Sequence, residues 1–242
     1  MDSTTKRSTL ALGTALLLAA CGGGETAAGG GDGAGETAEA GSAGQAGGAA
    51  GPPAGWTVRT DRGDTVPTEG RFTAADGGFR VRPGPRAIFF HPDSSASGRF
   101  RASATFRRLA EPRGPEAYGL FVGGRDLEGP GQDYLYFLIR KTGSYLVKHR
   151  AGDETHTVVE WTSSPAVRTT SGDTVSNTLA VASDSAEVRF LVNGETVETL
   201  PRSEMLRTDG IVGVRINHGL DVRVRDFRTT PMDAGSRGSS GT

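Results

Sequence analysis

Four short runs between residues 118 and 161 constrain the fold more than any other part of the chain. They are Tyr-Gly-Leu-Phe-Val-Gly-Gly-Arg from Tyr118, Asp-Tyr-Leu-Tyr-Phe-Leu-Ile-Arg from Asp133, Ser-Tyr-Leu-Val-Lys-His-Arg from Ser144 and Thr-His-Thr-Val-Val-Glu-Trp from Thr155. Aromatic and β-branched residues dominate each run, and Gly-containing breaks separate them, which is the pattern of an antiparallel meander. In the second run Leu135, Phe137 and Ile139 share one face of an extended chain, and Tyr134, Tyr136, Leu138 and Arg140 share the other. The first set is fully apolar and belongs to a core. The second carries phenols and a guanidinium, so it suits a groove or water.

The rest of the chain is built the same way. Residues 56–59 open it, and Asp76-Gly77-Gly78 supplies hairpin turn chemistry between residues 71–73 and 79–82. Residues 87–90 form a short apolar strand. Between Gly98 and Leu109, Phe100, Ala102, Ala104 and Phe106 alternate with Arg99, Arg101, Ser103, Thr105 and Arg107, the period of a half-buried strand. Asn193-Gly194 predicts a tight hairpin joining residues 187–192 to 196–200. Met205 and Leu206 predict one helical turn. Residues 210–217 and 220–227 read as a last hairpin around His218-Gly219. No segment has a sustained helical period, and about thirteen strands at regular spacing predict an all-β, antiparallel two-sheet sandwich of the jelly-roll type.

The amino-terminal residues obey different rules. Lys6 and Arg7 precede an apolar run from Leu10 to Ala20, broken by Gly13 and Thr14. A permanent membrane-spanning helix needs about 20 apolar residues, so this run is read as an export signal. Its end, Leu18-Ala19-Ala20-Cys21, resembles the lipobox of bacterial lipoproteins. The resemblance implies cleavage before Cys21 and lipidation of that cysteine, with Gly22 in the next position implying the outer membrane. An ordinary secretory signal beside an incidental cysteine is the alternative. Cys21 is the single cysteine, so the exported domain has neither an intramolecular disulfide nor thiol chemistry. In residues 22–51, 22 of 30 are Gly or Ala, which leaves too little apolar surface to offset ordering entropy. A flexible tether with a reach of roughly 30 Å follows. The organisation expected is a signal peptide at 1–20, a lipidated cysteine and tether at 21–54, a sandwich domain at 55–231 and a flexible tail at 232–242. From residue 55 on, 25 basic and 23 acidic residues nearly cancel, which argues against a nucleic-acid partner. The domain is expected to be monomeric.

Two segments carry a family resemblance. The run Tyr134-Leu135-Tyr136-Phe137-Leu138-Ile139 with Gly143-Ser144-Tyr145-Leu146 resembles the central meander of concanavalin A-like (laminin-G-like) jelly-roll domains. So does Asn177-Thr178-Leu179-Ala180-Val181 followed by the strand that ends Leu191-Val192-Asn193-Gly194. The nearest resemblance is to the 3-keto-disaccharide hydrolase-like group, also described as domain of unknown function 1080. These families include sugar binders, glycan-processing enzymes and adhesion modules, so the resemblance implies a fold and leaves activity open.

No catalytic signature stands out. Retaining glucanases of this fold carry a Glu-x-Asp-x-x-Glu strand that sets two carboxylates about 5 Å apart, and the chain lacks it. Asp126 and Glu128 share one side of an extended chain but sit in a Gly/Pro loop and read as solvated charges. With Asp133 they offer oxygen ligands to calcium, an ion common in related jelly rolls, at a spacing matching no defined calcium loop. No other cofactor or metal is expected. His91, His149, His156 and His218 show no ligand spacing, although His149 and His156 flank one hairpin. A Gly-x-Ser-x-Gly elbow is absent as well.

The polar face of the meander is the candidate site. Tyr118, Tyr134, Tyr136 and Arg140, with Trp161 and His149, offer aromatic platforms for sugar C–H faces and donors for hydroxyls. The same rings also serve cross-strand packing in many sheets. The sequence thus points to a cell-envelope lipoprotein presenting a non-catalytic sandwich that binds carbohydrate or another extracellular polymer. A glycoside hydrolase-type enzyme and a structural envelope protein docking to a protein partner are the alternatives.

Overall fold

A computed structural model describes residues 51–63, 70–170, 172 and 174–233. The signal peptide, Cys21, nearly all of the tether and most of the tail lie outside these residues.

Fourteen strands and one 3-10 turn make up the described chain. The strands are β1 (Thr57–Thr60), β2 (Phe72–Ala75), β3 (Gly78–Val81), β4 (Ala87–Ala96), β5 (Phe100–Arg108), β6 (Ala117–Arg125) and β7 (Asp133–Arg140). They continue with β8 (Ser144–Ala151), β9 (Glu154–Ser163), β10 (Val175–Ser183), β11 (Glu187–Val192), β12 (Glu195–Pro201), β13 (Gly210–Ile216) and β14 (Val222–Pro231). They form two antiparallel seven-stranded sheets. The first has the order β1-β4-β13-β6-β7-β8-β9, and the second the order β12-β11-β10-β5-β14-β3-β2. The all-β sandwich expected from the alternation is therefore the observed fold, with fourteen strands against about thirteen expected.

The core lies between the sheets and uses the alternation as read. Leu135, Phe137 and Ile139 meet Phe100, Ala102, Ala104 and Phe106 in one buried cluster. The Phe137 ring reaches Phe190 of the opposite sheet, 5.3 Å between centroids. The Asn-Gly hairpin joins β11 to β12, with Asn193 and Gly194 both at positive φ (52° and 91°) as such a tight turn requires. Asn193 does a second job. Its Nδ2 donates to the Ala166 carbonyl (2.8 Å) and to Asn177 Oδ1 (2.8 Å), while that Oδ1 also accepts from Arg168 N (2.8 Å). The two asparagines shared with the resemblance thus pin the loop after β9 onto the second sheet.

The last expected hairpin is not one. β13 lies between β4 and β6 in the first sheet, and β14 lies between β5 and β3 in the second. Residues 217–221 cross from one sheet to the other. The alternation is right, since Val212, Val214 and Ile216 face Val222 and Val224 in the same core, but they approach it from opposite layers. Adjacency in sequence does not distinguish that crossing from a hairpin.

A cleft on the outer face of the first sheet

Strands at the centre of the first sheet are apolar on both faces. Every residue of β6 from Ala117 to Gly124 is buried. The outer face carries its own apolar cluster, in which Ile88, Phe90, Phe121, Leu138 and Leu146 surround Tyr134 and Tyr136, with Trp161 packed at its margin. Above that cluster a cleft of about 480 Å³ opens to solvent, lined by side chains of β7, β8, β9 and β13 and of the segments around Asp61, Arg86 and Glu116. Its volume falls in the ordinary range of ligand pockets. A neighbouring hollow of about 440 Å³ shares Asp61 and Arg86 with it.

Arg215 anchors the floor. It is 4% exposed, and its guanidinium makes a two-pronged pair with the Asp61 carboxylate: Nη1 to Oδ1 at 2.7 Å and Nη2 to Oδ2 at 2.6 Å. Nη1 also donates to the Tyr134 hydroxyl (2.8 Å). The guanidinium carbon lies 4.9 Å from the centre of the Tyr136 ring. A fork-to-fork geometry of this kind compensates for bringing a cation out of water. Burial raises the Asp61 pKa, but the hydrogen bonds and charge of Arg215, with Arg150 and Arg86, outweigh it and hold the carboxyl below its ordinary value. Asp61 is therefore ionised near neutrality and cannot serve as a general acid. Burial pushes the Tyr134 and Tyr136 hydroxyls upward, so both stay protonated.

The outer wall is a stacked pair. The Arg140 guanidinium lies 4.1 Å from the centre of the Trp161 ring. Arg140 Nε, Arg215 Nε and Asn217 Oδ1 are buried atoms without a hydrogen-bond partner among the described residues, and all three side chains line the cleft.

Four of the six residues singled out from the sequence come together here: Tyr134, Tyr136, Arg140 and Trp161. Two do not. Tyr118 pairs with Ile139 in the β6–β7 ladder and so points into the sandwich, 3% exposed, with its ring 5.4 Å from Phe106. β6 is buried on both sides, which removes the polar-apolar alternation that would have revealed its parity. His149 pairs with Leu135 and so also lies on the sandwich side of the sheet. It meets Asp133 (3.1 Å) and stacks on His156 at 6.0 Å, as the hairpin spacing suggested. The expected aromatic platform is altered too. Tyr134 and Tyr136 are 1% and 5% exposed, so they form the floor together with Arg215, and the more exposed lining side chains are Arg140, Lys148 and Trp161.

Of the loop acids offered for calcium, Asp126 accepts from Gly131 N within the loop (2.9 Å), and Asp133 pairs with His149. Among the described residues no group of three or more His, Cys, Asp or Glu side chains converges to hold a metal ion.

Sequence reasoning missed Asp61, Arg150 and Arg215. Asp61 and Arg215 stand 154 residues apart, beyond any local motif. One signal was available: Arg215 is a lone charge in the apolar run Ile211-Val212-Gly213-Val214-Arg215-Ile216, and a charge buried in a strand calls for a partner.

No family model and no curated protein matches the chain in sequence. Solved structures match the fold. A carbohydrate-binding module of Bacillus subtilis, CBM66, superposes with a TM-score of 0.54 at 9% identity, covering 72% of this chain and 94% of that one. A Bacillus subtilis protein of unknown function with a galectin-like fold gives 0.51 at 14% identity, covering 73% and 89%. At these identities the likeness concerns fold alone. The domain has the concanavalin A-like jelly-roll fold.

Proposed function

We propose that the protein binds carbohydrate in the cleft on the outer face of its first sheet, without catalysis, while anchored to the cell envelope through Cys21. The observation that carries the reading is the cleft itself. It is concave, sealed beneath by apolar side chains, and lined by Arg140, Arg215 and Asn217, each of which carries a buried polar atom without a hydrogen-bond partner among the described residues. Fixed, unsatisfied donors and acceptors over an apolar floor suit a ligand that presents both hydroxyls and C–H faces. That the fold is shared with a module named for carbohydrate binding supports the same direction.

The test is a glycan array probed with the full-length chain in detergent, beside Arg140→Ala and Trp161→Ala. Wild type should bind at least one glycan class, and each variant should lose about tenfold or more in affinity. Failure of wild type to bind, or variants that bind equally well, would end the reading. For the anchor, a labelled fatty acid should enter the wild-type chain and not Cys21→Ala.

A further inference from the structure

We propose that the ligand of this cleft is an acidic carbohydrate, a chain whose sugar rings carry carboxylate or another oxyanion group. The inference rests on the carbohydrate reading and adds the charge of the ligand to it.

The charges lining the cleft do not cancel. Five cationic side chains, Arg86, Arg140, Lys148, Arg150 and Arg215, face three carboxylates: Asp61 is held by Arg215, Asp153 meets Arg150 at 3.6 Å, and Glu116 lies 2.9 Å from His218 Nε2. Arg86, Arg140 and Lys148 remain, and among the described residues no carboxylate lies within 4.0 Å of any of their cationic nitrogens. The Arg86 side chain donates from Nε to His218 Nδ1 (3.2 Å). A concave, low-dielectric wall concentrates the field of such a surplus where a ligand would sit.

Geometry narrows the anion. The Arg140 guanidinium carbon stands 4.1 Å from the centre of the Trp161 ring and Arg140 Nε is buried, which leaves the edge formed by its two terminal Nη groups to meet a ligand. Stacking of this kind fixes the guanidinium before a ligand arrives and reduces the ordering that binding must impose. The edge of a fixed guanidinium matches two oxygens of one carboxylate, sulfate or phosphate better than it matches a single hydroxyl. Lys148 projects from β8 directly opposite Tyr136 in the β7–β8 ladder and lines the same cleft. It supplies a mobile point charge where Arg140 supplies a fork. The adjoining hollow, which shares Arg86, gives a chain ligand room to continue.

The experiment titrates the full-length chain in detergent with polygalacturonate, dextran sulfate, neutral dextran and poly-L-glutamate, at about 20 and about 200 mM NaCl. Lys148→Glu, Arg140→Gln and Arg107→Gln are run beside wild type, with thermal midpoints confirming that each is folded. An acidic polysaccharide should bind about tenfold or more tightly than dextran and weaken about tenfold at the higher salt. Lys148→Glu and Arg140→Gln should each weaken it by a similar factor, and Arg107→Gln, on the other sheet, should leave it unchanged. Preference for polygalacturonate or for dextran sulfate identifies the oxyanion, and either supports the inference. Dextran bound as tightly as polygalacturonate overturns the charge inference and leaves the carbohydrate reading standing. Poly-L-glutamate bound as tightly as the best polysaccharide overturns both, as does binding of none of the four polymers. A loss in Arg107→Gln equal to that in Lys148→Glu moves the site to the opposite sheet and overturns the assignment.

Discussion

The two outward faces of the sandwich hold similar residues and use them differently. On the second sheet Arg107, Arg223 and Arg80 stand directly opposite one another on β5, β14 and β3. Among the described residues, Arg80 alone of the three has a close carboxylate partner, Asp221 at 2.6 Å, and Arg107 is exposed. Like charges opposed across strands are mildly destabilising, and water screens most of that effect. On the first sheet the guanidiniums lie on aromatic rings in a concavity, with Arg215 almost completely buried. Abundance of arginine does not make a site. Depth, and an aromatic layer that fixes each guanidinium, do.

That contrast can be broken in order of severity. Arg215→Met should have the largest effect, about 3–5 kcal/mol in urea denaturation, because it strands the Asp61 carboxylate and the Tyr134 hydroxyl. Its counterpart on the other face, Arg80→Met, should lose no more than about 1 kcal/mol. If the two losses were equal, depth would not be the controlling variable.

Acid should expose the same difference. The folded-state pKa of Asp61 lies below its unfolded value, so its contribution is complete above about pH 4 and is lost as pH falls through the lower folded value. Urea midpoints followed downward from pH 5 should fall steeply in wild type and less steeply in Asp61→Asn. Parallel curves would remove Asp61 from the account.

Smaller changes sharpen the picture. Tyr134→Phe removes the hydroxyl that accepts from Arg215 and should cost about 1 kcal/mol. Tyr136→Phe, whose hydroxyl has no protein partner among the described residues, should stay within about 0.5 kcal/mol of wild type. Arg107→Gln should be the mildest, neutral or slightly stabilising, since it relieves the opposition to Arg223.

Much of the fold was legible in the sequence because alternation is a local property. Phe100 through Phe106 and Leu135 through Ile139 declared their inward faces with no help from elsewhere, and Asn193-Gly194 declared its turn. Legibility ended where local contrast ended. β6 is buried on both sides, so nothing near Tyr118 told which way its ring points. The 217–221 crossing follows the same apolar pattern as a hairpin would. Half of the candidate site was readable, Tyr134, Tyr136, Arg140 and Trp161, because these residues lie on β7 and β9 of one local meander. The other half, Asp61 with Arg215, exists only through pairing across most of the chain.

That division also sets an order of assembly. Strands β6 to β9 are neighbours both in sequence and in the first sheet, whereas β13 enters between β4 and β6 from far downstream. Pairings between distant segments carry the larger loop-closure entropy and slow folding. The Arg140–Trp161 wall can therefore form within the meander alone, while the Asp61–Arg215 floor waits for both ends of the domain to arrive. The two tryptophans happen to watch the two events: Trp161 sits on β9, and Trp56, just before β1, packs 5.3 Å from Phe227 of β14. In stopped-flow refolding of Trp56→Phe and Trp161→Phe variants, the signal from Trp161 should precede that from Trp56. The cleft would then be the last feature to mature, and ligand binding would register only chains whose folding is complete.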